Sequence, residues 1–161
     1  MAEEVLANKK KVMVAIDESE CSHYALKWAL ENLPDCIASS APLVVFTVQP
    51  ISNTSFISVT SHGSASLELI KSVQEHRKKI SLALLEQAKE ICSKHGVVAV
   101  TITEVGDPKG IICEAVEKFK IDLLILGNHG RGALQRAFLG SVSNYCMQHA
   151  KCPVLVVKKQ T

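Results

Sequence analysis

Two glycine clusters, Gly127-Asn-His-Gly130-Arg-Gly132 and Gly140-Ser-Val-Ser143, follow the apolar run Leu123-Leu-Ile-Leu126, with nine residues between Gly130 and Gly140. Residues of this kind bind anions. A strand buried on both faces brings the chain to the end of a sheet, glycines let the backbone turn with its amides bared, and a helix opening at Ser141 adds its N-terminal donors. Glycine suits such points because positive φ is cheap for it and no Cβ bars a ligand from the main chain. A strand-to-helix turn uses glycines too, so a single Gly-x-x-Gly is compatible with either reading. The second, hydroxyl-bearing cluster favours the anion, since phosphate motifs pair glycines with Ser or Thr. Asp17 is the other candidate: placed just past a first strand, its carboxylate would accept hydrogen bonds from the sugar or base of a nucleotide. The competing role for Asp17 is a turn or cap aspartate, because aspartate is common after strands and at helix starts.

The cysteines offer a second chemistry. Six are present, Cys21, Cys36, Cys92, Cys113, Cys146 and Cys152. In a chain large enough to build its own core they read as reduced thiols, mostly packing residues. Cys21 lies near a helix start beside His23, a setting that can activate a thiol. Cys146-x-x-His149-x-x-Cys152 has ligand residue types at short spacing, but it lacks the fourth ligand that closes a structural zinc site, and no metal ligands are assigned.

Elements that position these residues follow from hydrophobic patterning. Lys11-Val-Met-Val-Ala-Ile16 reads as a buried strand ending at Asp17, and Ser19 caps a helix running to Pro34. Leu43 to Val48 is a second strand. After Pro50 comes a polar segment from Ser52 to Ser66 in which eight of fifteen residues are Ser or Thr, read with Ile51 as a flexible loop within the domain, 51–66. Leu67, Ile70, Val73, Ile80, Leu84, Ala88 and Ile91 recur at helical spacing, with Gly96 as the C-terminal glycine. Val97 to Val105 makes a third strand, Asp107 and Pro108 start another helix as cap and first residue, Asp122 to Leu126 is the fourth strand, and Val154 to Val157 the fifth. Strands alternating with helices predict an α/β domain with a parallel sheet wound on both faces, in which ligands sit beyond the carboxyl ends of the strands. Asp17 and the glycine loop share one crevice if strands one and four are neighbours, as in the order 3-2-1-4-5. No linker or internal repeat divides residues 1–161.

Composition narrows the function classes. The chain has 161 residues, enough for one domain that buries roughly two thirds of its unfolded surface. It is 47% hydrophobic but only 4% aromatic, so stacking surfaces for bases are scarce, and 18 basic against 16 acidic residues leave a net charge of +2. A nucleic-acid binder would show a concentrated basic face. The basic run Lys9-Lys-Lys11, directly before the first strand, reads as a solubilising feature at an edge. No stretch has the length of a membrane span or the pattern of a secretory signal, which predicts a cytoplasmic protein.

These residues resemble the universal stress protein family along essentially the whole chain. Gly127-x2-Gly130-x9-Gly140-Ser141 is similar to that family's nucleotide motif, Val14-Ala-Ile-Asp17-x-Ser19 to its first-strand signature, and Ala25-Leu-Lys-Trp-Ala-Leu30 and Gly106-Asp107-Pro108 to its plant members. The resemblance implies a five-stranded, doubly wound sheet of order 3-2-1-4-5, like the adenine-nucleotide α-hydrolases, in the ATP-binding branch. It implies ATP, or AMP or ADP, with Mg²⁺, held by Ala15, Asp17, Val48, Leu126, Gly127, His129, Gly130, Gly140, Ser141, Val142 and Ser143, with Arg131 as a further phosphate partner. Ala15 stands where some ATP-binding relatives have proline. The resemblance also implies a homodimer seamed by Val154–Val157.

Binding does not by itself make an enzyme. Phosphoryl transfer needs a lysine on the terminal phosphates, a carboxylate for Mg²⁺ and a group to orient the attacking atom. No Gly-Lys-Ser/Thr string of a Walker A loop follows the first glycine, and neither His-x-Gly-His nor Ser-Gly-Gly-x-Asp-Ser is present. The expected role is an ATP-binding regulatory protein with at most slow hydrolysis, without catalytic residues, read by an unidentified regulatory partner. His129 is the one acid-base candidate in the loop and is read as a phosphate contact. The alternative is a redox-responsive chaperone or interaction protein using the thiols and the Ser/Thr-rich loop.

Overall fold

The computed structural model describes residues 9–40, 42–51, 65–128 and 140–160. Its strands are β1 (Val12–Ile16), β2 (Leu43–Pro50), β3 (Ala99–Gly106), β4 (Leu123–Gly127) and β5 (Val154–Val157). Its helices are α1 (Glu20–Asn32), α2 (Pro34–Ser39), α3 (Ala65–Lys94), α4 (Pro108–Lys118) and α5 (Ser141–His149). All strand pairs are parallel and the order is β3-β2-β1-β4-β5. β1 is central, and all five of its residues are buried, which is why it reads as an unbroken apolar run rather than an alternating one.

Two cores result from that alternation. Val12, Val14 and Ile16 point to one face with Val45 and Ile125, where Ala25, Leu26 and Ala29 of α1 and Leu85, Ala88 and Cys92 of α3 cover them. Met13 and Ala15 point to the other with Phe46, Leu124 and Leu126, under Ile112, Ala115 and Val116 of α4 and Cys146 of α5. Helices on both faces bury the crossovers of a doubly wound sheet.

Local signals work as expected at several ends. The Ser19 hydroxyl accepts from the Ser22 amide and caps α1, a bond whose loss costs about 1 kcal/mol. At the end of α3, Gly96 has φ +70, and its amide bonds the Ser93 carbonyl while that of Val97 bonds the Cys92 carbonyl. That double closure needs a left-handed residue at Gly96.

Four local expectations are corrected. Pro34 does not merely stop the first helix; it opens the short helix α2, since proline at the first helical position lacks only a donor that would be unpaired anyway. Asp107 stands at the cap position of α4, but its side chain makes no cap bond. Lys9-Lys-Lys11 leads into the central strand, not an edge; the Lys11 amide donates to Asp122 Oδ2 at 2.7 Å and the Lys11 carbonyl accepts from the Asp122 amide at 2.8 Å, fixing β1 against β4. On α3, Leu67 is 63% exposed, and the fully packed positions are Ser81, Leu85, Ala88 and Cys92. The reason is length: thirty helical residues span roughly 45 Å, beyond the roughly 27 Å of the eight-residue strand beneath. The first turns of α3 overhang the sheet. They also begin at Ala65, so the last two residues of the expected polar loop are helical, while 52–64 lie outside the described residues.

Candidate functional site

At the carboxyl ends of the strands lies a cleft of about 830 Å³, lined by residues from both sides of the sheet. Ala15 and Asp17 enter it from the end of β1, Val48 from β2, Leu126 and Gly127 from β4, and Gly140, Ser141, Val142 and Ser143 from the start of α5. These nine are all of the expected nucleotide contacts that fall among the described residues; His129, Gly130 and Arg131 lie outside them. The neighbourhood of β1 and β4 brings the two candidate groups together.

Asp17 makes the turn contacts weighed for it and also lines the cleft. Its Oδ1 accepts from the Ser19 amide at 2.9 Å and from the Ser19 hydroxyl at 2.5 Å, the turn geometry that launches α1. Ser22 reinforces the turn: its hydroxyl lies 3.0 Å from both the amide and the carbonyl of Asp17. The aspartate is therefore fixed in place where it meets the cleft.

Gly127 needs to be glycine for a reason the sequence conceals. A Cβ there would stand 2.5 Å from the Cys21 carbonyl oxygen and 2.8 Å from the Ser22 amide nitrogen. Positive φ plays no part at either Gly127 or Gly140; among described glycines it occurs at Gly96 and Gly106. The glycine lets β4 press against the first turn of α1. Because backbone rather than a flexible side chain opposes the new methyl, Gly127→Ala should cost about 3 kcal/mol. At roughly 2–4 °C per kcal/mol for a domain of this size, the midpoint of thermal unfolding should drop by about 6–12 °C. A calorimetric scan with an unchanged midpoint would refute the close packing.

The opening of α5 brings a row of backbone amides to the cleft. Gly140 is the N-cap residue, at φ −56 and ψ 153, and no described side chain caps the helix. Its own amide is engaged by Asn128 Oδ1 at 3.1 Å, and the Asn144 amide already bonds the Gly140 carbonyl at 2.9 Å. The donors that point out of a helix start are then the amides of Ser141, Val142 and Ser143, backed by the positive end of the helix dipole. Ser143, 2% exposed, donates its hydroxyl to the Gly140 carbonyl at 3.0 Å and so stiffens this turn.

Several residues that line the cleft or brace its rim escaped the sequence reading. Asn128 ties the end of β4 to the start of α5 and to β5: its side chain holds Gly140 while its amide bonds the Val157 carbonyl at 3.0 Å. Its signal was an asparagine between turn glycines, a residue type that favours such local bonds. Arg77, Ile80, Ser81 and Leu84 of α3 form a side wall. Arg77 donates to the Pro50 carbonyl at 2.9 Å, and Gln49 reaches back to the Gln74 carbonyl at 3.1 Å. The signal was a charged residue four positions after Val73 and three before Ile80, on an otherwise apolar stripe. Thr47 donates to the Ile16 carbonyl at 2.8 Å, closing the end of β1 against β2.

The Cys146-x-x-His149-x-x-Cys152 triplet does not converge. Cys146 is buried under the sheet, whereas His149 is exposed, stacks on Tyr145 at 4.1 Å and turns Nδ1 to the Tyr145 carbonyl. Among the described residues no group of three or more His, Cys, Asp or Glu side chains could hold a metal ion. No helix among them is long and apolar enough to cross a membrane.

A parallel sheet with a ligand-sized cleft at the switch between β1 and β4 defines a doubly wound α/β protein, the class in which ligands sit beyond the carboxyl ends of the strands. The sequence profile of the universal stress protein family matches residues 9–158, and the chain belongs to that family. It is 33% identical to a universal stress protein A-like protein of Arabidopsis thaliana, over 92% of this chain and 90% of that one. It is also 33% identical to the universal stress protein YxiE of Bacillus subtilis, over 92% and 98% of the two chains. Among solved structures, a universal stress protein family protein from Arabidopsis thaliana with AMP bound superimposes with a TM-score of 0.67 at 27% identity, covering 94% of this chain and 93% of that one. The universal stress protein UspA of Lactobacillus plantarum, at 21% identity and a TM-score of 0.75 over 92% and 97% of the chains, shares the fold.

Proposed function

We propose that this protein is a regulatory adenine-nucleotide binder that holds ATP, or AMP or ADP, in the cleft beyond β1 and β4, and that it acts as a homodimer in the cytoplasm. One observation carries the reading: Asp17, Val48, Gly127 and the helix start Gly140–Ser143, distant in sequence, line a single cleft. Its 830 Å³ falls within the roughly 300–1,000 Å³ typical of small-molecule sites. The AMP-bound Arabidopsis relative supports the ligand class.

In this reading the amides of Ser141 to Ser143 take phosphate oxygens, with His129, Gly130 and Arg131 completing the cradle. Asp17 holds the nucleoside, and Ala15, Val48 and Leu126 supply apolar contact. Mg²⁺ would ride on the phosphates, because no described carboxylate cluster is built to hold it. The same lack of a metal carboxylate and of a phosphate-reaching lysine in the expected loop argues for binding without appreciable turnover. The test is nucleotide extraction from protein purified without added ligand, followed by a single-turnover assay. We expect a retained adenine nucleotide and ATP largely intact over minutes. Empty protein that gives no calorimetric signal with AMP or ATP would overturn the reading, and hydrolysis above roughly 1 per second would make it an enzyme.

The dimer is assigned to β5. It is an edge strand, and Val156 joins neither packed cluster. An unpaired apolar edge is a site for another strand, and lysine is the residue that blocks such pairing. Val156→Lys should therefore leave a folded monomer where light scattering finds a wild-type dimer. A wild-type monomer, or an unaffected dimer in the variant, would move the seam elsewhere.

A further inference from the structure

On the face covered by α4 and α5, three of the six cysteines gather. Cys113 Sγ lies 3.9 Å from Cys146 Sγ across the contact between the two helices, and Cys152, just past α5, is near enough to raise the Cys146 thiol and to be raised by Cys113. Cys146 is fully buried, while Cys113 and Cys152 are partly exposed. A disulfide holds its sulfurs about 2.05 Å apart. The pair therefore needs to close by roughly 1.9 Å, through side-chain rotation and a small approach of the helices.

We propose that Cys113 and Cys146 form an oxidisable dithiol whose disulfide clamps α4 to α5 and thereby weakens ligand binding in the cleft. Position carries the coupling. Ile112, the neighbour of Cys113, lines the cleft, and so does the first turn of the nine-residue helix that carries Cys146. Drawing the two helices together shifts the amides of Ser141 to Ser143 relative to Asp17 across the crevice. The consequence rests on the nucleotide reading above; the chemistry does not.

The oxidant is a hydroperoxide. The accessible Cys113 sulfur attacks the peroxide oxygen, the O–O bond breaks, and sulfenic acid and an alcohol, or water from hydrogen peroxide, are formed. Cys146 then attacks the sulfenic sulfur; the S–S bond forms, the S–O bond breaks, and the departing hydroxide leaves as water with the thiol proton. Two thiols lose two electrons and two protons in all. Burial pushes the Cys146 thiol up to about 12 and raises that of Cys113, with the charge of Glu117 adding to the latter. Thiolate is scarce at neutral pH, so the pair ignores brief exposure and responds to sustained oxidant.

The test treats the reduced full-length chain with hydrogen peroxide, maps disulfide-linked peptides by mass spectrometry without reductant, and titrates AMP by calorimetry before and after. We expect a Cys113–Cys146 link, AMP affinity reduced roughly tenfold by displacement of the helix start, and full recovery with dithiothreitol. Cys113→Ser should bind AMP like the reduced protein and lose the response; Cys146→Ala should do the same if its buried position tolerates the change. A link between other cysteines, or none, overturns the dithiol. A Cys113–Cys146 link with unchanged affinity overturns the coupling. If the reduced protein binds no AMP, the nucleotide reading fails, and the peptide map still decides whether the dithiol exists.

Discussion

Gly140→Val should lower the affinity for AMP and ATP by at least roughly a hundredfold, or about 2.7 kcal/mol, while the protein stays folded. The backbone does not demand glycine there. At φ −56 and ψ 153 the residue is extended, a region open to valine. What the substitution changes is the N-cap of α5: a branched side chain enters the cleft wall where an anion approaches the amides of Ser141 to Ser143. Valine is a poor N-cap, so a stability loss of about 1 kcal/mol should accompany it, too little to unfold a domain with an ordinary reserve. Calorimetric titration beside circular dichroism separates the effects. Wild-type affinity in folded Gly140→Val would falsify the assignment of the anion to the start of α5.

Much of this geometry was legible in the sequence, and the parts that were not share a cause. The strands announced themselves because a centrally placed parallel strand is buried on both faces: Val12 to Ile16 and Leu123 to Leu126 can hardly be anything else at that length. β5 was read to the residue. The caps of α1 and α3 follow from local chemistry, a serine before an amphipathic stretch and a glycine after one. Tertiary packing was invisible. Gly127 looked like a phosphate glycine, yet its missing Cβ makes room for the Cys21 carbonyl, more than a hundred residues away in the chain. The buried side of α3 moved toward Ser81, Leu85 and Cys92 because periodicity locates a stripe but not where the sheet beneath it ends. Arg77 and Asn128 were passed over for the same reason. Each acts through a backbone atom, the Pro50 carbonyl or the Gly140 amide, and main-chain positions leave no trace in residue type. For Asp17 the sequence offered a turn or a ligand contact; the turn is present, and the residue lines the cleft.

That position, in a turn and beside the cleft, shapes the remaining prediction. Asp17→Ala should weaken AMP and ATP alike by roughly ten- to a hundredfold, the equivalent of about 1.5–3 kcal/mol for a hydrogen bond to a charged group. Equal losses identify a contact to the sugar or base. A magnesium ligand would penalise ATP far more than AMP and would show its effect only with Mg²⁺ present. The alanine variant also removes the acceptor for the Ser19 amide and hydroxyl at the start of α1, so it should lose about 1 kcal/mol of stability. Asp17→Asn separates the two roles. Its amide oxygen can still accept from Ser19 and preserve the turn, but its neutral group is a weaker acceptor for ribose hydroxyls or a base amine. The expected pattern is a melting temperature near wild type with affinity for both nucleotides still reduced. If Asp17→Asn bound AMP and ATP normally and Asp17→Ala lost stability alone, the aspartate would be a turn residue whose place beside the cleft follows from launching α1.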